Sequence, residues 1–174
     1  MAGVREICID DLELGDKIGQ GGFSTIHKGK LNGTPVAIKK IFDPRMTDEL
    51  LMEIQNEIVM TSILRHPNIA ILMGVIPQIP DIYIVFEHVQ QGSLFDLLHM
   101  KKNNFQIDVK ERIRIARDTA IVFEYMHALG IAHRDIKSHN VLIDSHMNVK
   151  VCDFGLAKFV VSKLNLNQIF NYFF

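Results

Sequence analysis

The chemistry-bearing residues of this chain fall in a few short runs. Gly19-Gln20-Gly21-Gly22-Phe23-Ser24 interrupts an alternating segment, and glycines there let backbone N–H groups approach a bulky anion. Lys39 ends the apolar run Val36-Ala37-Ile38 and could pair with phosphate oxygens. Such a lysine needs an acid to hold it, and Glu53 and Glu57 stand one turn apart in the next predicted helix. His133-Arg134-Asp135-Ile136-Lys137-Ser138-His139-Asn140 forms a polar run in which Asp135 could accept a hydroxyl proton and Lys137 could offset charge on a moving phosphoryl group. Asn140 and the aspartate of Asp153-Phe154-Gly155 offer hard oxygen donors of the kind magnesium takes alongside phosphate.

These residues depend on the elements around them. Asp11–Ile18, Thr25–Leu31 and Pro35–Phe42 read as strands, the first pair joined by the glycine cluster and the second by the hairpin signal Asn32-Gly33. No helix follows the glycines, which excludes a dinucleotide fingerprint, and no G-K-[ST] follows, which excludes a Walker loop. Residues 47–64 change to helical period, with Thr47 as N-cap, acids in the first turn, and Leu51, Ile54 and Ile58 on one face. Ala70–Ile76 and Ile82–Phe86 are two further strands, with a turn predicted at Pro77–Pro80. Gln90-Gln91-Gly92-Ser93 breaks the pattern as a hinge would. A short helix follows at Ser93–His99 and a long one at Asp108–Leu129, opened by the capping sequence Asp108-Val109-Lys110-Glu111 and closed by Gly130. Val109, Ile113, Ala116, Ala120 and Phe123 are its expected buried stripe. Short strands are predicted at Val141–Ile143 and Val149–Cys152. The architecture is α+β, a sheet-rich part followed by a helix-led one.

Composition excludes several function classes. With a net charge of −1 and no Lys/Arg block, nucleic-acid binding through bulk electrostatics is disfavoured. The two cysteines, Cys8 and Cys152, are too far apart in sequence to suggest a disulfide framework or zinc set, which points to a reducing compartment. No signal pattern and no long apolar run is present, so a cytoplasmic protein without a membrane span is expected.

In order and in context, the glycine loop, V-A-I-K, H-R-D-I-x-x-x-N and D-F-G match the signature set of protein kinases, and the chain resembles a eukaryotic protein kinase from about Leu12 to Lys158. Lys137, two residues after the aspartate, looks like the serine/threonine class. His66-Pro67-Asn68-Ile69, Leu72-Met73-Gly74-Val75, Gly92-Ser93-Leu94 and Val149-Lys150-Val151-Cys152-Asp153 are similar to the tyrosine-kinase-like group, especially its Raf-like and mixed-lineage members.

The resemblance implies a kinase fold in four stretches. Residues 1–11 are an N-terminal extension. Residues 12–89 are an N-lobe with a five-stranded antiparallel sheet and helix C. Residues 90–158 are part of a C-lobe with hinge, helices D and E, catalytic loop and D-F-G, and residues 159–174 are an atypical tail. It implies ATP and Mg2+ as cofactors, a protein substrate with a Ser or Thr hydroxyl, and kinase-cascade partners. By resemblance, Gly19, Gln20, Gly21, Gly22, Phe23 and Ser24 cover the triphosphate, and Ile18, Ile26, Ala37 and Leu142 sandwich the adenine. Phe86 is the gatekeeper, and Glu87 and Val89 supply hinge hydrogen bonds. Lys39 holds the α- and β-phosphates and pairs with Glu57, preferred over Glu53 by its distance from His66-Pro67-Asn68. Asp135 is the base, and Asn140 and Asp153 are the magnesium ligands.

Three departures stand out. Ser24 replaces the third loop glycine. Thr61 stands where the family has a large apolar residue; by volume it should hold the helix less firmly, or it is simply a polar turn of this helix. No A-P-E follows Lys158; residues 159–174 carry one charge, Lys163, and read as translated non-coding sequence or an alternative terminus of a truncated kinase.

Overall fold

The computed structural model describes residues 4–42, 47–78, 81–99 and 107–160. The contacts of these residues divide into two compact units, one made of residues 4–42, 47–62, 70–78 and 81–88, the other of residues 63–69, 89–99 and 107–160.

The first unit is built on a five-stranded sheet. Strands β1 (Leu12–Gln20), β2 (Ser24–Leu31), β3 (Thr34–Phe42), β4 (Leu72–Gln78) and β5 (Asp81–Glu87) lie in the order β1-β2-β3-β5-β4, every neighbouring pair antiparallel. The β2–β3 hairpin turns on Asn32 and Gly33, whose φ angles of 48° and 80° are those that a two-residue turn between right-twisted strands demands. Helix α1 (Asp48–Ile63) starts at Thr47, whose Oγ1 accepts from the Leu50 N–H at 3.2 Å.

Both faces of the sheet are apolar. Register decides which residue goes where, because directly opposed residues share a face. Ile38 opposes Val85, and these two join Leu31, Val36, Ile76, Tyr83 and Ile7 in one cluster. Lys39 opposes Ile84 on the other face, where Ile41, Val75, Ile82 and Ile84 pack against Ile54 and Ile58 of α1.

One sequence expectation fails here. Pro77 belongs to β4, opposite Ile82, and not to a turn. A proline is tolerated in a strand at the end of the sheet order, where its missing N–H breaks no inner ladder. Pro80 lies outside the described residues.

The second unit is led by helices. Ser93 closes strand β6 (Gly92–Ser93) and caps α2 (Leu94–His99), its Oγ accepting from the Asp96 N–H at 3.1 Å. Helix α3 (Val109–Ala128) is capped by Asp108, whose side chain accepts from the Lys110 and Glu111 N–H groups. Strands β7 (Ile131–Ala132), β8 (Val141–Ile143), β9 (Val149–Val151) and β10 (Lys158–Phe159) form two small antiparallel ladders, β10-β7 and β6-β8-β9. The run His66-Pro67-Asn68-Ile69 is seated on this unit: Asn68 Nδ2 donates to the Val149 carbonyl at 2.9 Å, and its own carbonyl accepts from the Val151 N–H at 2.7 Å.

Two further expectations are corrected in this unit. The buried line of α3 is Ile115, Val122 and Met126, not the stripe running from Val109 to Phe123. Val109 and Ile113 are 69% and 64% exposed, Ala116 and Ala120 are also exposed, and Phe123 is half-buried. The helix carries two apolar lines, and periodicity alone does not say which one meets the fold. Phe159, placed in the tail by sequence, pairs with Ile131, and the next N–H, of Val160, donates to the Gly130 carbonyl at 2.8 Å. Residues 161–174 lie outside the described residues.

Candidate active site

In the first unit the glycine-rich hairpin is shorter than its sequence. Gly19 and Gln20 remain in β1, opposite Ile26 and Thr25, and the Gly21 N–H donates to the Ser24 carbonyl at 2.8 Å. Gly21, Gly22 and Phe23 are thus the tip, all exposed, with Ser24 half-buried at the start of β2. Ile18 is exposed on β1. Ile26 opposes Lys39, and Ala37 opposes Phe86, which sets these four on the face that α1 covers.

On that face the Lys39 Nζ donates to both carboxylate oxygens of Glu57, at 2.6 and 2.7 Å. Glu57 is 6% exposed, while Glu53, a turn earlier, is exposed. The apolar residues Ile54 and Ile58 seat the helix on the sheet, and Glu57 is carried inward with them. Thr61, the departure from the family pattern, is buried and donates its hydroxyl to the Glu57 carbonyl at 2.7 Å. The hydroxyl is therefore satisfied within the helix, one turn after the acid. Glu87 closes the β4–β5 edge: its N–H donates to the Ile71 carbonyl and its carboxylate accepts from the Ile71 N–H, at 3.0 and 2.9 Å.

In the second unit Val89 is buried, and Leu142 lies half-buried on β8 between Ser93 and Lys150. The loop between β7 and β8 is organised by His133, which sequence reading treated only as part of a polar run. His133 is 2% exposed, edge-on to Phe123 and 5.1 Å from the Phe154 ring. Its Nε2 donates to the Cys152 carbonyl at 3.1 Å, and its Nδ1 accepts from the Asp135 N–H at 3.3 Å. This pattern is that of a neutral imidazole, and burial holds its pKa below the usual histidine value.

Asp135 follows Arg134, whose φ of 69° turns the chain. Its Oδ2 accepts from Lys137 Nζ at 2.6 Å and from Asn140 Nδ2 at 2.9 Å. The Lys137 bond, aided by Asn140, holds the Asp135 carboxyl below the ordinary carboxylate range, so it is ionised at neutral pH. Lys137 is raised in turn, first by Asp135 and further by Asp153. Asn140, buried at 6% exposure, also donates to the Asp135 carbonyl at 2.9 Å. Its own carbonyl accepts from the Cys152 N–H at 3.0 Å, which ties the loop to the segment carrying Asp153. Asp153 is exposed at a φ of 63°, and Phe154, 1% exposed, anchors the turn behind it.

This donor set fits a hard divalent cation. Asn140 commits its nitrogen to Asp135 and so presents its amide oxygen as the remaining acceptor, and Asp153 adds an exposed carboxylate. Among the described residues no group of three or more His, Cys, Asp or Glu gathers as a self-sufficient cage. Magnesium is suited to such a sparse set because it takes one or two protein oxygens together with phosphate.

The model of the protein kinase domain matches residues 12–172. The chain is 41% identical over 155 residues to the probable serine/threonine-protein kinase SIS8 of Arabidopsis thaliana, covering 88% of this chain and 15% of that protein. It is 40% identical over 154 residues to the serine/threonine-protein kinase CTR1 of the same plant, covering 87% and 19%. It is 35% identical over 153 residues to the probable serine/threonine-protein kinase drkB of Dictyostelium discoideum, covering 88% and 22%. The chain thus spans less than a quarter of the length of these relatives. No helix among the described residues is long and apolar enough to cross a membrane.

Proposed function

This chain belongs to the protein kinase domain family, and from that premise we propose that it transfers the γ-phosphoryl group of ATP to a serine or threonine hydroxyl of a protein. The observation that carries this reading is the Asp135 carboxylate, held ionised and oriented by Lys137 and Asn140. Asp135 accepts a hydrogen bond from the substrate hydroxyl and takes its proton as the new O–P bond forms and the bond to ADP breaks. Lys137 offsets charge on the group in transit. Lys39, fixed by Glu57, binds the α- and β-phosphates, and the backbone of Gly19–Ser24 covers the triphosphate. Ile18, Ile26, Ala37 and Leu142 receive the adenine, with Phe86 as gatekeeper and Glu87 and Val89 as hinge residues. Asn140 and Asp153 would hold Mg2+, which would neutralise phosphate charge. Such catalysis is mostly positioning and charge stabilisation.

Lys137 and the runs at residues 66–69, 72–75 and 149–153 support a reading of the chain as a tyrosine-kinase-like serine/threonine kinase, for which kinase-cascade partners are proposed. A second reading, a nucleotide- or partner-holding module with weak or no turnover, is favoured by the bare apolar line Val109–Ile113 of α3. Phosphoamino-acid analysis of a general protein substrate labelled with MgATP tests the first. Label on serine and threonine is expected. Label on tyrosine alone would overturn the serine/threonine assignment, and no label would favour the second reading.

A further inference from the structure

The segment before β1 is not a passive extension. Its Ile7 N–H donates to the Val75 carbonyl at 2.9 Å, and the Val75 N–H donates to the Arg5 carbonyl at 3.0 Å. Glu6 and Val75 thereby form a parallel bridge on β4, the last strand of the sheet order. An edge strand leaves a row of unpaired backbone groups, and here the chain's own N-terminal segment covers part of it.

The segment also grips both faces. Ile7, 6% exposed, enters the cluster of Val36, Ile38, Ile76 and Val85. Val4 packs against the opposite cluster, to which α1 contributes Ile54 and Ile58. Four residues thus straddle the sheet edge. β4 makes room at a register shift: a Cβ on Gly74 would stand 2.5 Å from the Arg5 oxygen and 2.7 Å from Ile7 Cδ1.

We propose that Val4–Ile7 is a positioning strap that holds α1 on the sheet and so keeps Glu57 on Lys39. Val4 touches the same apolar cluster that seats Ile54 and Ile58, and Glu57 is the neighbour of Ile58. The strap ties that cluster to β4 by two backbone hydrogen bonds and to the far face by Ile7. Its consequence for phosphate binding rests on the reading of Lys39 and Glu57 above, whereas its effect on the ion pair does not.

The test uses the full chain, with Val4→Asp, Ile7→Asp and the conservative Ile7→Val. Two activity-independent readouts are followed: backbone amide exchange by NMR, and the rate of Lys39 acylation by a succinimidyl ester. Val4→Asp is expected to speed exchange in α1 and acylation of Lys39 about tenfold or more, with β2–β3 amides at the parent rate. Ile7→Asp should also release the Val75 N–H, and Ile7→Val should behave as the parent. Val4 is only half-buried, so its variant carries the test even where Ile7→Asp does not fold. Uniform acceleration across all strands would mean general destabilisation and would overturn the proposal. So would parent rates at α1 and Lys39 in Val4→Asp. Because no readout needs turnover, an inactive chain with a functioning strap is distinguishable from an active chain without one.

Discussion

Asn140 donates its side-chain N–H groups to two oxygens of Asp135, the backbone carbonyl and Oδ2, each at 2.9 Å. One amide therefore fixes the proposed base and leaves its own oxygen as an acceptor. Asn140→Ala removes both bonds. It should destabilise the fold by about 2 kcal/mol and lower kcat about 100-fold through misplacement of Asp135. Denaturant unfolding and steady-state kinetics at saturating MgATP check this; an unchanged kcat would mean that Asp135 does not depend on its neighbour.

The Lys39–Glu57 pair is mostly buried, with side-chain exposures of 18% and 8%. Removing one partner takes this ion pair from the other, mostly buried charge. Glu57→Leu and Lys39→Met should each cost about 3 kcal/mol, and the Lys39→Met, Glu57→Leu double variant should be more stable than the sum of these single changes implies. Urea midpoints of the four chains measure this. Strict additivity would indicate that the pair is not coupled.

His133 and Asp135 are two of the groups that shape the acid side of the pH profile. His133 is held neutral by burial, with its folded pKa depressed. Its contribution is present above the ordinary histidine value of about 6.5 and is lost as pH falls below that toward its folded value. Asp135, also depressed, contributes above the ordinary carboxylate range, and its contribution is lost as pH falls through its lower folded value. Melting temperature should therefore decline in two windows, the first beginning near pH 6.5. Lys137→Met removes the largest cause of the Asp135 depression and should move the acid limb of kcat/KM toward higher pH. A limb that stays in place would contradict the assigned cause.

The exposed line Val109, Ile113, Ala116 and Ala120 on α3 is a contiguous apolar strip. Such strips drive association. The purified chain should run larger than a monomer in size-exclusion chromatography with light scattering, and Ile113→Glu should shift it toward monomer without lowering Tm. A monodisperse parent with a sharp melt would refute this.

What was legible in sequence was local. The Asn32-Gly33 turn, the Thr47 and Asp108 caps and the alternation of β2 and β3 each act within a few residues, so their types alone announce them. The order of the motifs announced the family. Features set by distant partners were not visible. The strap needs Gly74 and Val75, some 70 residues away by numbering, and its short run carries no clean alternation. The buried face of α3 was misassigned because both of its lines are apolar, and only contact with β7 and β9 decides between them. His133 looked polar because its aromatic neighbours lie at positions 123 and 154.

Asp135 is the proposed base for phosphoryl transfer from MgATP. Incubating the purified chain with γ-labelled ATP, Mg2+ and a general protein substrate, beside Asp135→Asn, tests it most directly. Transfer by the parent chain is expected, with a loss of about 10² to 10⁴-fold in Asp135→Asn and MgATP affinity retained. Transfer at equal rates in both, or none from a folded parent that binds MgATP, would contradict it.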